Sequence, residues 1–273
     1  MSQSQEEMSF WDHLEELRWT LFRCIFALLI FTVGGFLVMR YLFDQVIMAP
    51  CSSDFVTYRW MCNLAVHLPF FPDFCDEAFH VDVVQIKLAT QFFTHMSSSF
   101  WLAVVLTFPY LMYEVWRFIR PALYDNEQKS VRWVFSLGTL MFFIGCFVGY
   151  MIVFPMTLRF LATYELSSAI TEQVSLESYM DTFLMMIFIM GVVFEMPLLS
   201  WLLSQIGLIN RSFFRKYRRY AIVGLLIAAA FITPSGDPFT LSVVFLPLYA
   251  LYELSAFFVK PAPVETLEEL QTT

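Results

Sequence analysis

The chain has 273 residues, of which 59% are hydrophobic and only 15% charged, and its mean hydropathy is +0.65, whereas soluble domains average about 25% charged residues. That composition excludes an ordinary soluble globule and defines an integral membrane protein. A net charge of −8 argues against a nucleic-acid partner, since binding phosphate backbones requires clustered Lys and Arg in excess of acids.

Residues 1–19 carry Glu6, Glu7, Asp12, Glu15 and Glu16 against the single base Arg18, which does not fit the basic start of a cleavable secretory signal. Within them Phe10, Leu14 and Leu17 recur at helical spacing, so this stretch reads as a cytoplasmic amphipathic helix capped by Ser9. Six apolar runs follow, near 20–43, 90–116, 133–158, 181–206, 220–233 and 239–258. Runs of this length in lipid must be α-helices, since about 20 residues are needed to cross and every backbone group must be bonded internally. The fold class is therefore all-α, a six-helix transmembrane bundle. The fifth run, Tyr220 to Thr233, covers only about 21 Å at 1.5 Å per residue. Either its helix continues back through Arg218 and Arg219, or the bilayer thins there.

Lys and Arg near short loops stay in the cytoplasm. Arg18, Arg23, the Arg117–Arg132 connection, the Arg211–Arg219 connection and Lys260 place 12 of the 16 basic residues on one side, leaving Arg40, Arg59, Lys87 and Arg159 opposite. Both termini are then cytoplasmic: a transmembrane domain over 20–258 contains a periplasmic loop at 44–89 and ends in a cytoplasmic tail at 259–273. Cys51, Cys62 and Cys75 share that loop, an oxidising location that predicts one disulfide among them, with at least one cysteine unpaired within the chain.

Enzyme signatures are missing. No phosphate-binding loop, HExxH metal pair, nucleophile elbow or CxxC pair occurs, and His13, His67, His80 and His95 make no ligand spacing. No catalytic residue, metal or cofactor is expected. Among the carboxylates, Glu195 sits in the middle of an apolar run, which costs roughly 2.5 to 3.5 kcal/mol or more and marks a polar interior. It is either neutral and bonded to a neighbouring hydroxyl, or it serves a hydrated cavity. Glu114 is three residues from Arg117, an ordinary pair on one helix face. Asp237 occupies a Pro-bounded turn, where local backbone bonding competes with a functional role. Glu253 reads as structural.

Several segments together resemble one family. His13-Leu-Glu-Glu-Leu-Arg18 resembles the HLxELR signature of the TatC family, with Glu16 and Arg18 on its charged positions. The segment from Phe108 through Trp116, Phe118 and Pro121 to Glu127 is similar to the family's PxxxYxxWxFxxPxLYxxE stretch. Phe194-Glu195-Met196-Pro197 resembles FExP, and Thr233-Pro234 with Asp237 resembles TPxxD; Pro50 and Pro155 also match, so the resemblance covers residues 9–258. It implies the signal-peptide receptor subunit of the twin-arginine translocase of the bacterial inner membrane, a protein that catalyses no covalent chemistry. It further implies binding of twin-arginine signal peptides of folded precursors through Glu16 and Glu127 with Arg18 and Phe118, and a role for Glu195 on the concave face of a cupped bundle. Implied partners are the single-span TatA and TatB, other copies of itself and membrane lipid, with the proton-motive force as energy source. Two carboxylates suit two adjacent guanidinium groups because each accepts paired, charge-assisted hydrogen bonds. The competing reading is a secondary transporter of a small solute, which would be favoured by inverted repeats; none is visible in the sequence.

Overall fold

The computed structural model describes residues 10–65, 79–119, 125–164, 167, 173–205, 207–233 and 235–259, the side chains of 10, 12, 13, 64, 65, 119 and 125–133 excepted. Helix α1 (Phe10–Leu42) joins the predicted amphipathic segment and first span into one rod. A π-helical turn at Phe43–Ile47 and a 3₁₀ turn at Ala49–Cys51 end it, and a short helix α2 (Val56–Ala65) follows. Then come α3 (Thr90–Ile119), α4 (Asp125–Val148) with a π-turn at Gly149–Val153, α5 (Phe154–Ala162), α6 (Leu176–Val193), α7 (Met196–Gln205), α8 (Arg211–Ile232) and α9 (Pro238–Phe258).

Among the described residues, five segments are long and apolar enough to cross a membrane: Leu14–Cys51, Thr90–Phe118, Val134–Ala162, Leu176–Gln205 and Pro238–Phe258. Helix α8 is long enough, at 22 residues, but its first nine hold Arg211, Arg215, Lys216, Arg218 and Arg219. Its helix does extend back through Arg218 and Arg219, while its apolar part, Tyr220–Ile232, still covers only about 20 Å. One side of α1 is bare, with Phe22, Phe26, Leu29 and Leu37 all more than half exposed, as a lipid-facing surface requires.

Because lipid is as apolar as the side chains, helix association rests on close van der Waals approach. Helices α4 and α6 run antiparallel with Gly138, Gly145 and Gly149 on the shared face. A Cβ at Gly145 would sit 2.5 Å from the Met190 carbonyl oxygen and 2.8 Å from Phe194 Cβ. Phe142 of α4 lies against Gly191 of α6 and also stacks on Phe108 of α3, with ring centroids 3.6 Å apart. Gly35 lets α1 press on Ser99 of α3, and α9 packs on α5, α7 and α8.

The described parts of the stretch read as a loop at 44–89 include α2 and pack as a cap over one end of the bundle. Its strand β1 (Val83–Val84) pairs in parallel with β2 (Val174–Ser175) from the α5–α6 connection. Tyrosine hydroxyls tie the irregular end of α1 in place: Tyr150 donates to the Val46 carbonyl at 2.8 Å and Tyr179 to that of Ile47 at 2.5 Å. The tightest link follows from Pro155, which has no N–H to give to the Met151 carbonyl four residues back. Thr57 of α2 donates its hydroxyl to that carbonyl, and the neighbouring Tyr58 donates to Pro50 O at 2.8 Å and lies 3.3 Å from Pro155 O. Arg159, only 3% exposed, lies over the rings of Tyr58 and Phe79 at 5.1 and 4.7 Å. Of the three loop cysteines, Cys62 is disulfide-bonded and Cys51 is free and buried, while Cys75 lies outside the described residues.

Candidate functional site

The end of the bundle opposite the cap gathers the start of α1, the end of α3, the start of α8 and the end of α9. Along α1, Glu16, Thr20 and Arg23 fall at i, i+4 and i+7 and so share one face. That face points at α3. Thr20 is buried, and Arg23 donates to Glu114 of α3 through Nε at 3.0 Å and a terminal guanidinium nitrogen at 2.9 Å, the latter nitrogen also reaching Thr20 Oγ1 at 3.0 Å. Tyr110 donates to the second Glu114 oxygen at 2.9 Å. This corrects the expected pairing of Glu114 with Arg117: the carboxylate is spoken for across the helix seam, where burial makes an oppositely charged partner mandatory.

The seam places the residues singled out from the sequence. Glu16 is half-buried while its neighbours Glu15, Leu17, Arg18 and Trp19 are exposed, because it alone lies on the α3-facing stripe. Phe118, also half-buried, is one turn beyond Glu114 on α3 and therefore on the stripe that faces back. Arg18 points away; it sits 3.8 Å from Glu15, and its guanidinium lies 5.7 Å from the Trp19 ring centroid. Glu127 falls in the first turn of α4, and its side chain lies outside those described.

Glu195 occupies the break between α6 and α7. Pro197 cannot donate to the Val193 carbonyl, and the chain kinks there through a tightened bond from Glu195 N to Val192 O at 3.1 Å, before Leu199 N to Glu195 O restarts the helix. The carboxyl is 8% exposed and faces α4, where a Cβ at Gly138 would come within 3.0 Å of Oε2. Neither carboxyl oxygen has a hydrogen-bond partner among the described residues, so no neighbouring hydroxyl satisfies it. A buried carboxyl without such partners is expensive in an apolar span.

Asp237 is a helix cap. It accepts from Phe239 N at 3.0 Å, Thr240 N at 2.9 Å, Ser235 Oγ at 2.5 Å and the Thr240 hydroxyl. Its partial burial works against ionisation, but these four bonds prevail and hold its carboxyl below the usual carboxylate range. Pro50 and Pro155 belong to the cap junction and Pro197 to the kink; Pro234 lies outside the described residues. Two further clusters were not singled out from sequence. One is the Arg23–Glu114–Tyr110 seam, which opposite charges inside neighbouring apolar runs do signal. The other joins α8 to α9: Arg218 donates to Tyr249 at 2.8 and 3.0 Å and lies 2.7 Å from Glu253.

The arrangement defines a multi-span membrane bundle with carboxylates at one end, a cap over the other and a buried carboxyl at a helix kink. Comparison with known proteins makes this particular. The family model for "Sec-independent protein translocase protein (TatC)" matches residues 12–247. A protein of that name from Blattabacterium sp. subsp. Periplaneta americana is 34% identical over 94% of this chain and 97% of its own, and one from Deinococcus radiodurans 33% identical over 94% and 88%. A solved structure titled "Crystal Structure of Twin Arginine Translocase Receptor- TatC" superposes with a TM-score of 0.69 at 27% identity, covering 90% of this chain and 97% of that one. The chain belongs to the TatC family: it is a multi-pass, non-enzymatic membrane component of the Sec-independent protein translocase. The solute-transporter reading finds no support in these comparisons.

Proposed function

We propose that this chain is the receptor that recognises twin-arginine signal peptides of folded precursors at the end of the bundle bearing Glu16. The observation that carries the reading is the α1–α3 seam. The Arg23–Glu114 bridge fixes the rotation of α1 so that half-buried Glu16 lies on the face turned toward α3, the helix whose last turn carries half-buried Phe118. Two carboxylates at the rim would take one guanidinium each, and Phe118 would cover their apolar stems. Exposed ion pairs contribute only about 0 to 1 kcal/mol each, so the apolar part of the signal adds affinity by lying against the bundle.

In this reading α8 is the sixth span, the carboxylate end and both termini face the cytoplasm of a bacterial inner membrane, and the cap is periplasmic. The skewed distribution of basic residues supports that orientation. Glu195 is the position at which a polar group of TatA, TatB, a second copy or the signal itself completes an intramembrane contact, and the proton-motive force drives export. Export of an Arg-Arg precursor in cells carrying Glu16→Ala or Glu127→Ala tests the proposal. Each variant is expected to insert and accumulate normally while exporting poorly. Native export rates in both would remove the two carboxylates from the site.

A further inference from the structure

Two hollows adjoin where α1, α3 and α6 meet below the cap, at the end remote from Glu16. One is an apolar slot of about 280 Å³ between the four helices α1, α3, α4 and α6, walled by side chains such as Leu42, Val105, Phe147 and Ile187. The other, of about 640 Å³, is different in character: Arg40, Asp44, Gln91 and His95 line it. Met39, itself buried, lines both, so the two hollows adjoin on either side of its side chain. Arg40 is in the last turn of α1 and Gln91 in the first turn of α3, which puts the polar hollow at the level where spans meet headgroups.

The charges in the polar hollow are unspent. Arg40 and Asp44 are both exposed, one turn apart, yet neither forms an ion pair with the other or with any other described residue. His95 is already committed, its Nε2 lying 2.9 Å from the Phe36 carbonyl and its ring stacked on Phe36 at 3.9 Å, so it serves as a fixed wall. A cation and an anion held apart beside an apolar slot form a receptor for a molecule with the complementary pair and a hydrocarbon chain.

We propose that the two adjoining hollows bind one phospholipid with a zwitterionic, primary-amine headgroup. An acyl chain fills the slot, the phosphate meets Arg40, and the ammonium meets Asp44. Charge-assisted bonds of this kind are the directional ones at a membrane surface. Asp44 is what selects against a purely anionic lipid, which would satisfy Arg40 and be repelled one turn away. A filled slot also restores the dispersion contacts that its lining side chains lack when nothing packs against them. The site lies at the cap end and does not depend on how signals are recognised.

The test is retention of lipid by the full chain. The protein is reconstituted with equimolar palmitoyl-oleoyl phosphatidylethanolamine and phosphatidylglycerol, extracted into detergent and weighed intact by native mass spectrometry. The proposal expects one phosphatidylethanolamine retained in preference to phosphatidylglycerol. Arg40→Ala and Asp44→Ala should each reduce that retention about fivefold, the scale of losing one exposed charge pair. Asp44→Ala should in addition shift the residual binding toward phosphatidylglycerol, and Leu184→Trp, which fills the slot, should abolish retention of either lipid. If the Trp variant fails to fold, the two charge variants decide, since their side chains are exposed. Equal or greater retention of phosphatidylglycerol by the unaltered chain, retention unaffected by both charge variants, or no lipid retained at all would each overturn the proposal.

Discussion

Replacing Arg23 by Met leaves the Glu114 carboxylate inside the α1–α3 seam with only Tyr110 to satisfy it. The carboxylate is 2% exposed and the guanidinium 32% exposed. Breaking a fully buried pair costs about 3 to 5 kcal/mol and an exposed one about 0 to 1. With one partner sealed and the other partly wetted, Arg23→Met should cost about 2 kcal/mol, between those limits. Glu114→Gln should cost less, about 1 kcal/mol, because Tyr110 can still donate to the amide oxygen and the freed Arg23 can reach water or headgroups on its long stem. The double variant Arg23→Met/Glu114→Gln should recover most of the loss, since no charge is then stranded. Unfolding of detergent-solubilised protein by sodium dodecyl sulfate, followed with a thiol-reactive dye that reports exposure of buried Cys51 and Cys146, measures all three. A larger cost for Glu114→Gln than for Arg23→Met, or strict additivity in the double variant, would refute the claim that the buried carboxylate is the group at stake.

Other substitutions follow from the same geometry. Thr57→Val removes the hydroxyl that serves the Met151 carbonyl left open by Pro155, and should cost about 1 to 3 kcal/mol and speed proteolysis of the cap. Gly145→Leu drives a side chain into the Met190 carbonyl and Phe194, so α4 and α6 must separate; lower thermal stability in detergent, by an overpacking cost of about 1 to 3 kcal/mol or more, is the expected reading. Asp237→Ala removes the cap of α9 at a cost of about 1 to 2 kcal/mol. Because the folded carboxyl is held below its ordinary value, the stability it adds is present above about pH 4 and is lost as pH falls through the lowered value, so a melting series from pH 6 to pH 3 should drop more for the unaltered chain than for Asp237→Ala.

Spans are legible in this sequence because lipid leaves the backbone no alternative to a helix, so an apolar run of sufficient length is enough. Boundaries were less so. Helix α1 runs from Phe10, where the amphipathic reading also starts a helix, straight into the first span, since the two share one helical period and nothing breaks between them, so no boundary falls near residue 20. The fourth run divides at Glu195, where Pro197 and the kink were readable only as a motif. The cap was hidden for a different reason: its order comes from hydroxyls that fill carbonyls vacated by prolines, a pairing across nearly 100 positions that no local pattern encodes. The same holds at the seam. Glu114 pairs with Arg23, 91 residues away, rather than with the nearby Arg117, because only the fold determines which cation is desolvated beside it.

The central claim is that Glu16, set by that seam, reads the guanidinium pair of a signal. The direct measurement is site-specific photocrosslinking of the purified, reconstituted protein to a signal peptide in its Arg-Arg and Lys-Lys forms, with Glu16→Gln beside the unaltered chain. Gln matches Glu in helix propensity and lacks only the charge. The account predicts that the unaltered chain crosslinks the Arg-Arg form well above the Lys-Lys form, and that Glu16→Gln, although folded, loses most of that difference. A Glu16→Gln protein that still discriminates Arg-Arg from Lys-Lys as well as the unaltered chain would contradict it.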